Sequence, residues 1–245
     1  MLKQVIKIAK AAGNIIMQYY GETTYKEKSD HSPVTKADIK ASEYIVEQLE
    51  CSFALPVISE EVLIPYEKRK NWDKFWLVDP LDGTKDFLEQ NGEFTVNIAL
   101  IEHGHPVIGV VFAPVLNQCW WAQKGNGAFK DKVRMKNKIT RKNWIGTDSR
   151  HHSSNETVEF FKRNNIQNIQ CYGSSLKMCK VAEGEVDIYP RLNGTKEWDT
   201  AAAEIILLES KCHIQSFPER KPLKYNKKNL KNPFFVACRQ GVNWK

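Results

Sequence analysis

The stretch "WLVDPLDGTKDF", residues 76–87, places two carboxylates where they could do chemistry. Asp79 and Asp82 stand three residues apart at the end of a hydrophobic strand pattern, with Pro80 and Gly83 beside them. Proline and glycine in this arrangement predict a tight, rigid turn. The pattern therefore indicates that a buried strand ends on a pair of closely held acids.

Other acidic residues occupy comparable positions elsewhere in the chain. Glu60 and Glu61 follow the strand pattern "PVIS", Asp38 lies in "VTKAD", and Asp199 opens a predicted helix in "EWDTAAAE". Carboxylates that converge without cations repel one another and are forced to protonate. Magnesium binds carboxylate and carbonyl oxygens together with substrate phosphate, and two metal ions about 3.5–4 Å apart commonly serve in-line phosphoryl transfer. A magnesium-dependent phosphoryl site is the prediction.

Each acid also has a simpler interpretation when it is taken alone. D-P and D-G pairs are typical of Asx-bonded turns. Asp38 could be a first-turn acid favoured by the helix dipole, and Asp199 could be a helix N-cap. The combination of strand-D-P-x-D-G-T with a separate S-E-E and a later W-D favours the metal site.

The first part of the chain predicts two helices and a mostly antiparallel sheet. Helical spacing of apolar residues covers the N-terminus up to Gly21, and a second helix over 35–50 should turn Ile39, Ile45, Val46 and Leu49 inward. Strand patterns cover 55–59, 75–79, 94–102, 106–114 and 117–123, with a hairpin at 103–105 and a loop at 124–129.

The second part alternates strand and helix patterns. Strands are predicted over 143–147, 166–173 and 186–190, and helices over 155–164, 174–184 and 198–210. Such alternation indicates an α/β unit. We therefore expect an α+β half at 1–137 that carries most metal ligands, packed against an α/β half at 138–245 that carries the last ligand and the substrate-binding residues.

Composition limits the partners and the location. The 245 residues carry a net charge of +7, which attracts anions, but the basic runs at 136–142 and 220–228 lack any nucleic-acid signature and are typical of solvated surface.

The six cysteines form no C-x-x-C pair, and the histidines show no metal spacing. The adjacent His151 and His152 would diverge in any regular element. Lysines 3, 7 and 10 argue against a signal peptide, and no run is long enough to span a membrane. These features predict a cytoplasmic protein, and loose attachment of its basic surface to the inner face of the membrane stays open.

"DPLDGTKDF", with "SEE" upstream and "WDTAA" downstream, resembles the inositol monophosphatase superfamily of magnesium-dependent, lithium-sensitive phosphatases over nearly the whole chain. "NGEFTVNIAL" and "GSSLKMCKVAEGEVDIYPR" are similar to the bacterial 3′(2′),5′-bisphosphate nucleotidases of the CysQ type. Inositol monophosphatases usually carry D-G-T-x-N-F, and Asp86 departs from that pattern. The resemblance implies an α+β / α/β fold, layered as an α-β-α-β-α sandwich, with the active site between its halves and a monomer rather than a dimer.

The resemblance also implies roles for the acids. Glu60, Asp79 and the Leu81 carbonyl would hold the first of two or three Mg²⁺ ions, and Asp79, Asp82 and Asp199 the second. Glu60 would help a third ion through water, with Glu61 only its neighbour. Asp38 and Thr84 would form a hydrogen-bonded pair that takes a proton from the attacking water. The phosphate would rest on the metals and on the amides of Gly83 and Thr84, so that the residues around it are Glu60, Leu81, Asp82, Gly83, Thr84 and Asp199.

A second anion site is expected at "YGSSLK", residues 172–177. Gly173 would allow close approach, Ser174 and Ser175 would donate hydrogen bonds, and Lys177 would add charge near the nucleotide part of the substrate. Arg191 would meet the 5′-phosphate. The alternatives are an ordinary serine N-cap for the first group and a surface salt bridge for Arg191.

The implied activity is that of a phosphoric monoester hydrolase that removes the 3′-phosphate from adenosine 3′,5′-bisphosphate and yields AMP, in sulfate assimilation. The compound 3′-phosphoadenylyl sulfate would be a further substrate. Two alternatives stay open: a phosphatase of the same fold that acts on inositol or another sugar phosphate, and a non-enzymatic protein that binds nucleotides or RNA. Acidic charge at the binding centre argues against the second of these.

Overall fold

The structure is a computed structural model that describes residues 1–28, 32–136 and 141–245. His31, part of the basic run at 136–142, and the predicted boundary between residues 137 and 138 lie outside these ranges. The helices are α1 (Leu2–Gln18), α2 (Lys36–Phe53), α3 (Tyr66–Arg69), α4 (Thr84–Leu88), α5 (Asn155–Arg163), α6 (Leu176–Glu183) and α7 (Glu197–Glu209).

Fourteen strands form three sheets in the described residues. A hairpin is formed by β1 (Lys26–Glu27) and β2 (Pro33–Val34). The large sheet contains β3 (Val57–Ser59), β4 (Lys74–Asp82), β5 (Thr95–Glu102), β6 (His105–Ala113), β7 (Gln118–Gln123), β8 (Gly127–Lys130) and β9 (Val133–Arg134). The smaller sheet contains β10 (Ile145–Ser149), β11 (Asn168–Tyr172), β12 (Ile188–Arg191), β13 (Cys212–Ser216) and β14 (Phe235–Arg239).

Strand pairing differs between the two larger sheets. The seven strands of the large sheet lie in sequence order, and all neighbours are antiparallel except β3 and β4. The five strands of the smaller sheet have the order β11-β10-β12-β14-β13, in which β11, β10 and β12 are parallel. The mostly antiparallel first sheet and the alternation of strand and helix in the second part are confirmed.

Alternating side chains show how the layers stack. Along β5, Val96 and Ile98 pack with α1 and α2, whereas Ala99 and Ile101 pack with α7 on the opposite face. Strand residues of odd and even number point to opposite faces of a sheet, so each face has its own hydrophobic partner. The large sheet is therefore covered by helices on both sides.

The smaller sheet repeats this arrangement. Along β14, Phe235 and Ala237 join the cluster that contains α6 and α7, whereas Val236 packs with Phe160 and Phe161 of α5. The order of layers is α1 and α2, the large sheet, α6 and α7, the smaller sheet, and α5. This arrangement confirms the expected α-β-α-β-α sandwich.

One glycine allows the central helix to lie directly on the large sheet. A Cβ atom added to Gly109 of β6 would lie 2.2 Å from the Ala202 carbonyl oxygen and 2.4 Å from Ile205 Cγ2 of α7. Only a residue without a side chain fits at such a contact. The close packing fixes the position of α7, whose first turn carries Asp199.

Several details differ from the sequence predictions. Ile39 is 42% exposed, because it lies on the solvent side of α2, whereas Ile45 and Leu49 are buried as expected. Residues 127–129 of the predicted loop belong to β8, which pairs with β7 in a hairpin. The strands β13 and β14 lie where no element was predicted. None of the helices in the described ranges is long and apolar enough to cross a membrane.

Candidate active site

A cleft of about 450 Å³ is lined by residues from both sequence halves. Of the residues predicted for the site, all but Asp38 and Gly173 line this cleft. On the second-half side, the carboxyl ends of the parallel strands β10, β11 and β12 meet at one edge of the sheet. That edge is where α/β sheets generally bind their ligands.

The pair Asp79 and Asp82 is held by an irregular strand end. The predicted tight turn at Pro80 is wrong, because β4 continues through Pro80 and Leu81 to Asp82. Its register against β5 shifts between Asp79 and Asp82, and the Leu81 amide donates to Asp79 Oδ1 at 3.2 Å. Such an irregularity re-aims side chains that would otherwise follow the pleat. The chain turns only at Gly83, which has φ +92°.

Three of the predicted ligands converge. Glu60, Asp79 and Asp199 each offer a carboxylate oxygen, and these oxygens lie within 4.8 Å of one another. Burial, together with repulsion from Glu60 and Asp82, raises the pKa of Asp79 well above its usual value. Burial and the neighbouring acids likewise raise the pKa of Asp199 to about 8. The cluster favours a bound cation, which would offset this repulsion.

Asp199 also caps its own helix. It is the third residue of α7, and its Oδ2 accepts the Lys196 amide at 2.8 Å. The capping role that was considered as an alternative is thus present, but the N-cap position belongs to Lys196. The other carboxylate oxygen is left for the cleft, so capping fixes the side chain without excluding a ligand role.

A lysine already contacts one edge of the acidic cluster. Lys28 Nζ lies 2.6 Å from Glu60 Oε1 and 2.6 Å from Glu61 Oε1. Partial burial lowers the pKa of Lys28, but the charges of Glu60 and Glu61 outweigh that effect and the pKa rises. The lysine therefore stays cationic and offsets charge on Glu60. The sequence analysis missed this contact, since Lys28 lies more than thirty residues away in the chain.

Asp82 is the point where the two halves hold the site together. Its Oδ2 accepts Ser174 Oγ at 2.6 Å, the Ser175 amide at 2.7 Å, Ser175 Oγ at 2.9 Å and Asn97 Nδ2 at 3.3 Å. Ser175 precedes α6 but makes no side-chain cap bond. The two serines of "GSSLK" thus donate to a predicted metal ligand, and their contact with substrate stays a prediction.

The expected pair of Asp38 and Thr84 lies side by side. Thr84 Oγ1 donates to Asp38 Oδ1 at 3.1 Å and is also 3.4 Å from the Leu81 carbonyl oxygen. Asp38 Oδ2 accepts the amide and hydroxyl of Thr35 in a capping box at the start of α2. Burial raises the pKa of Asp38. The capping bonds from Thr35 fix Asp38 Oδ2 and leave Asp38 Oδ1 to accept the hydroxyl of Thr84.

Gly173 has a packing role. A Cβ atom added there would lie 2.6 Å from Asp86 Oδ2 and 2.6 Å from the Glu93 carbonyl oxygen. The close approach that the sequence suggested is therefore an approach to α4 and to the segment that follows it.

Two cations of the second half line the cleft. Lys177 is buried, donates to the Tyr172 carbonyl at 3.1 Å, and has its pKa lowered to about 8 by burial. Arg191 is 9% exposed and donates to the carbonyls of His152 and Gly194, each at 3.3 Å. Among the described residues Arg191 has no carboxylate partner, and its buried Nε has no hydrogen-bond partner. The surface salt bridge considered for Arg191 is therefore wrong.

The two adjacent histidines line the cleft, which the sequence did not predict. They follow β10 in an irregular segment, so the divergence expected for a regular element does not apply, and both line the cleft. His151 Nε2 lies 3.1 Å from Asp86 Oδ1. Burial and the nearby Arg191 lower the pKa of His152 to about 4, so it is neutral at pH 7. Their position a few residues after the predicted strand at 143–147 was the signal that could have placed them here.

Comparison with known proteins agrees with this geometry. The model of the inositol monophosphatase family matches residues 1–232. The chain belongs to that family. Within it, the 3′(2′),5′-bisphosphate nucleotidase CysQ of Escherichia coli K12 is 42% identical over 243 residues, covering 96% of this chain and 98% of the relative. The protein of the same name from Haemophilus influenzae is 37% identical, covering 100% of this chain and 95% of the relative.

Solved structures of the inositol monophosphatase family show the same fold. CysQ from Bacteroides thetaiotaomicron superposes with a TM-score of 0.87 and 38% identity, covering 98% of this chain and 97% of the other. An IMPase from Thermotoga maritima superposes with a TM-score of 0.81 and 26% identity, covering 95% of this chain and 89% of the other. The likeness thus extends over both sheets and the cleft between them.

Proposed function

We propose that this chain is a metal-dependent 3′(2′),5′-bisphosphate nucleotidase that hydrolyses adenosine 3′,5′-bisphosphate to AMP and phosphate. The observation that carries the proposal is the convergence of Glu60, Asp79 and Asp199 in a cleft that continues to Lys177 and Arg191, two cations that form no ion pair within the described residues. An acidic metal centre serves the phosphate that is removed, and the cations suit a second phosphate on the same substrate. The relatives named CysQ support this substrate class.

The donor set fits magnesium. Glu60, Asp79 and Asp199 supply only oxygen ligands, and Asp82 and the Leu81 carbonyl line the same cleft. Oxygen ligands of this kind suit Mg²⁺ rather than zinc. Two to three Mg²⁺ ions held by these residues would stabilise negative charge on the phosphoryl group. The four donors on Asp82 Oδ2 keep that carboxylate oriented.

The remaining groups of the site handle a proton and orient the substrate. Thr84 can accept a proton from an attacking water while it donates its own to Asp38 Oδ1, 3.1 Å away. Asp38 is suited to receive it, because burial raises the pKa of its carboxyl. Gly83 and Thr84 line the same cleft at the start of α4, where backbone amides without a helical partner would bind the phosphate. The hydroxyls of Ser174 and Ser175 in the cleft lining donate to Asp82 and are given no nucleophilic role, so direct attack by water is the proposed route.

The substrate range and setting follow from the same proposal. The compound 3′-phosphoadenylyl sulfate carries the same 3′-phosphate and would also be hydrolysed, which places the enzyme in sulfate assimilation. The cytoplasmic location, the loose membrane contact and the monomeric state expected from the sequence stay predictions.

Phosphate release tests the proposal. Adenosine 3′,5′-bisphosphate and inositol 1-phosphate should be compared with magnesium and with chelator, using wild type, Asp82→Asn and the exposed control Asp73→Asn. We expect magnesium-dependent release, faster from the nucleotide, that is lost in Asp82→Asn and kept in Asp73→Asn. A preference for inositol 1-phosphate would keep the metal site and overturn the substrate. Full activity of Asp82→Asn would overturn the metal assignment.

A further inference from the structure

A buried acid beside the cleft has no part in the mechanism above. Asp86 lies in α4, is 3% exposed, and accepts Asn91 Nδ2 at 2.6 Å and His151 Nε2 at 3.1 Å on its Oδ1. Its Oδ2 lies against Gly173, where there is no room for a side chain. Asp86 thus joins the helix that follows the acidic cluster to two loops of the second half.

A second acid of the same segment makes a parallel connection. Glu93 Oε2 accepts Arg150 Nη2 at 2.8 Å, Arg150 Nε at 3.2 Å and the Gly173 amide at 2.7 Å. The consecutive residues Arg150 and His151 are therefore held by two acids of the first half. We call these four residues, Asp86, Glu93, Arg150 and His151, the acid latch.

The acid latch leads to the cationic end of the cleft. His151 is followed by His152, whose carbonyl accepts Arg191 Nη1 at 3.3 Å. Arg191 itself has a buried Nε without a hydrogen-bond partner, and it forms no ion pair with an acid of the described residues. Its position is therefore set by carbonyls, and one of these belongs to the segment that the latch holds.

We propose that Asp86 is a positioning residue for substrate preference: through His151 it fixes the 150–152 segment, and with it Arg191, for a second anionic group on a phosphate monoester. The inference rests on the proposed function. A carboxylate is needed because a charge-assisted hydrogen bond to histidine is roughly twice as strong as a neutral one. The acidic cluster is not part of this link, so loss of the link should leave the chemistry at the first phosphate unchanged.

The test compares two substrates that differ only in the second phosphate, adenosine 3′,5′-bisphosphate and adenosine 3′-phosphate. In Asp86→Asn, which keeps the shape of the side chain, we expect KM for the bisphosphate to rise about tenfold while kcat changes less than about twofold. KM for the monophosphate should stay unchanged. Glu159→Gln, an exposed change on α5, is the matched control and should alter neither constant.

A double variant tests whether Asp86 acts through His151. His151→Gln should reproduce the rise in KM, and the double variant should be no worse than either single one, because the two residues form one link. An equal rise in KM for both substrates, or a rise in the double variant that is the sum of the two single effects, would overturn the inference.

If Asp86→Asn fails to fold, the comparison of the two substrates in His151→Gln decides alone. If the wild type is inactive on the bisphosphate, the proposed function and the inference are both refuted. If the wild type is active and the variants leave the ratio of the two KM values unchanged, only the inference is refuted.

Discussion

Glu204 should make the stability of this protein depend on pH. It lies in α7, is 3% exposed, and its Oε2 accepts the Tyr225 hydroxyl at 2.5 Å. Burial raises its pKa from 4.5 to about 8. In the unfolded chain the carboxyl ionises near its usual value, so between these two pH values the folded state keeps a proton that the unfolded state has lost.

The sign and size follow from this difference. The unfolded state binds fewer protons, so the free energy of unfolding decreases as pH rises. The contribution of Glu204 is complete below pH 4.5 and is lost as pH rises through about 8. One pKa unit corresponds to about 1.4 kcal/mol, so the loss across this window is of the order of 5 kcal/mol. Glu204→Gln removes the ionisation and keeps the shape.

Urea unfolding from pH 5 to pH 9 measures the effect. The difference in stability between wild type and Glu204→Gln should shift in favour of the variant by roughly 1 kcal/mol per pH unit. Other buried acids contribute equally to both proteins and cancel in the difference. A difference that stays constant with pH would refute the reasoning, since it would show that Glu204 ionises alike in both states. Glu159→Gln serves as the exposed control.

Three further predictions concern the elements around the site. Ser175→Ala removes a hydroxyl donor from Asp82 and should lower magnesium affinity by about tenfold or more, as measured by titration calorimetry. Lys28→Gln removes the cation beside Glu60, so thermal unfolding should show lower stability in chelator and a larger rise with magnesium than in wild type. Gly109→Ala forces a Cβ into the backbone of α7 and should destabilise the protein by about 1–3 kcal/mol in urea unfolding.

Hydrophobic periodicity predicted the elements well because burial enforces it. Ile45 and Leu49 are buried at helical spacing, and the alternation along β5 matches the two helix layers beside it. Ile39 breaks the rule, since a helix that covers one face of a sheet leaves its other side in water. Hydrophobic periodicity also predicted that β4 ends at Asp79, whereas the strand continues to Asp82. Pro80 is tolerated within it because the hydrogen-bond ladder to β5 is irregular there.

The acids of the site could be predicted as residue types, but their hydrogen-bond partners could not. Strand ends and helix starts drew attention to Asp79 and Asp199, and the structure places both in one cluster with Glu60. The two serines that donate to Asp82 are more than ninety positions away in the chain. A single sequence carries no signal for a contact of that kind, because any exposed serine has the same local pattern.

The bonds to Asp82 explain why the site requires both halves. Asp82 belongs to the large sheet, whereas Ser174 and Ser175 precede α6 beneath the smaller sheet. Ser175 Oγ also lies 3.0 Å from the Asp199 carbonyl oxygen, so one serine contacts two predicted ligand residues on different elements. A small shift of one sheet against the other would therefore disturb the acidic cluster and the cationic end of the cleft at once. The distance between the two proposed phosphate sites would then be set by the packing of the layers, and a substrate with one phosphate would use only part of that arrangement.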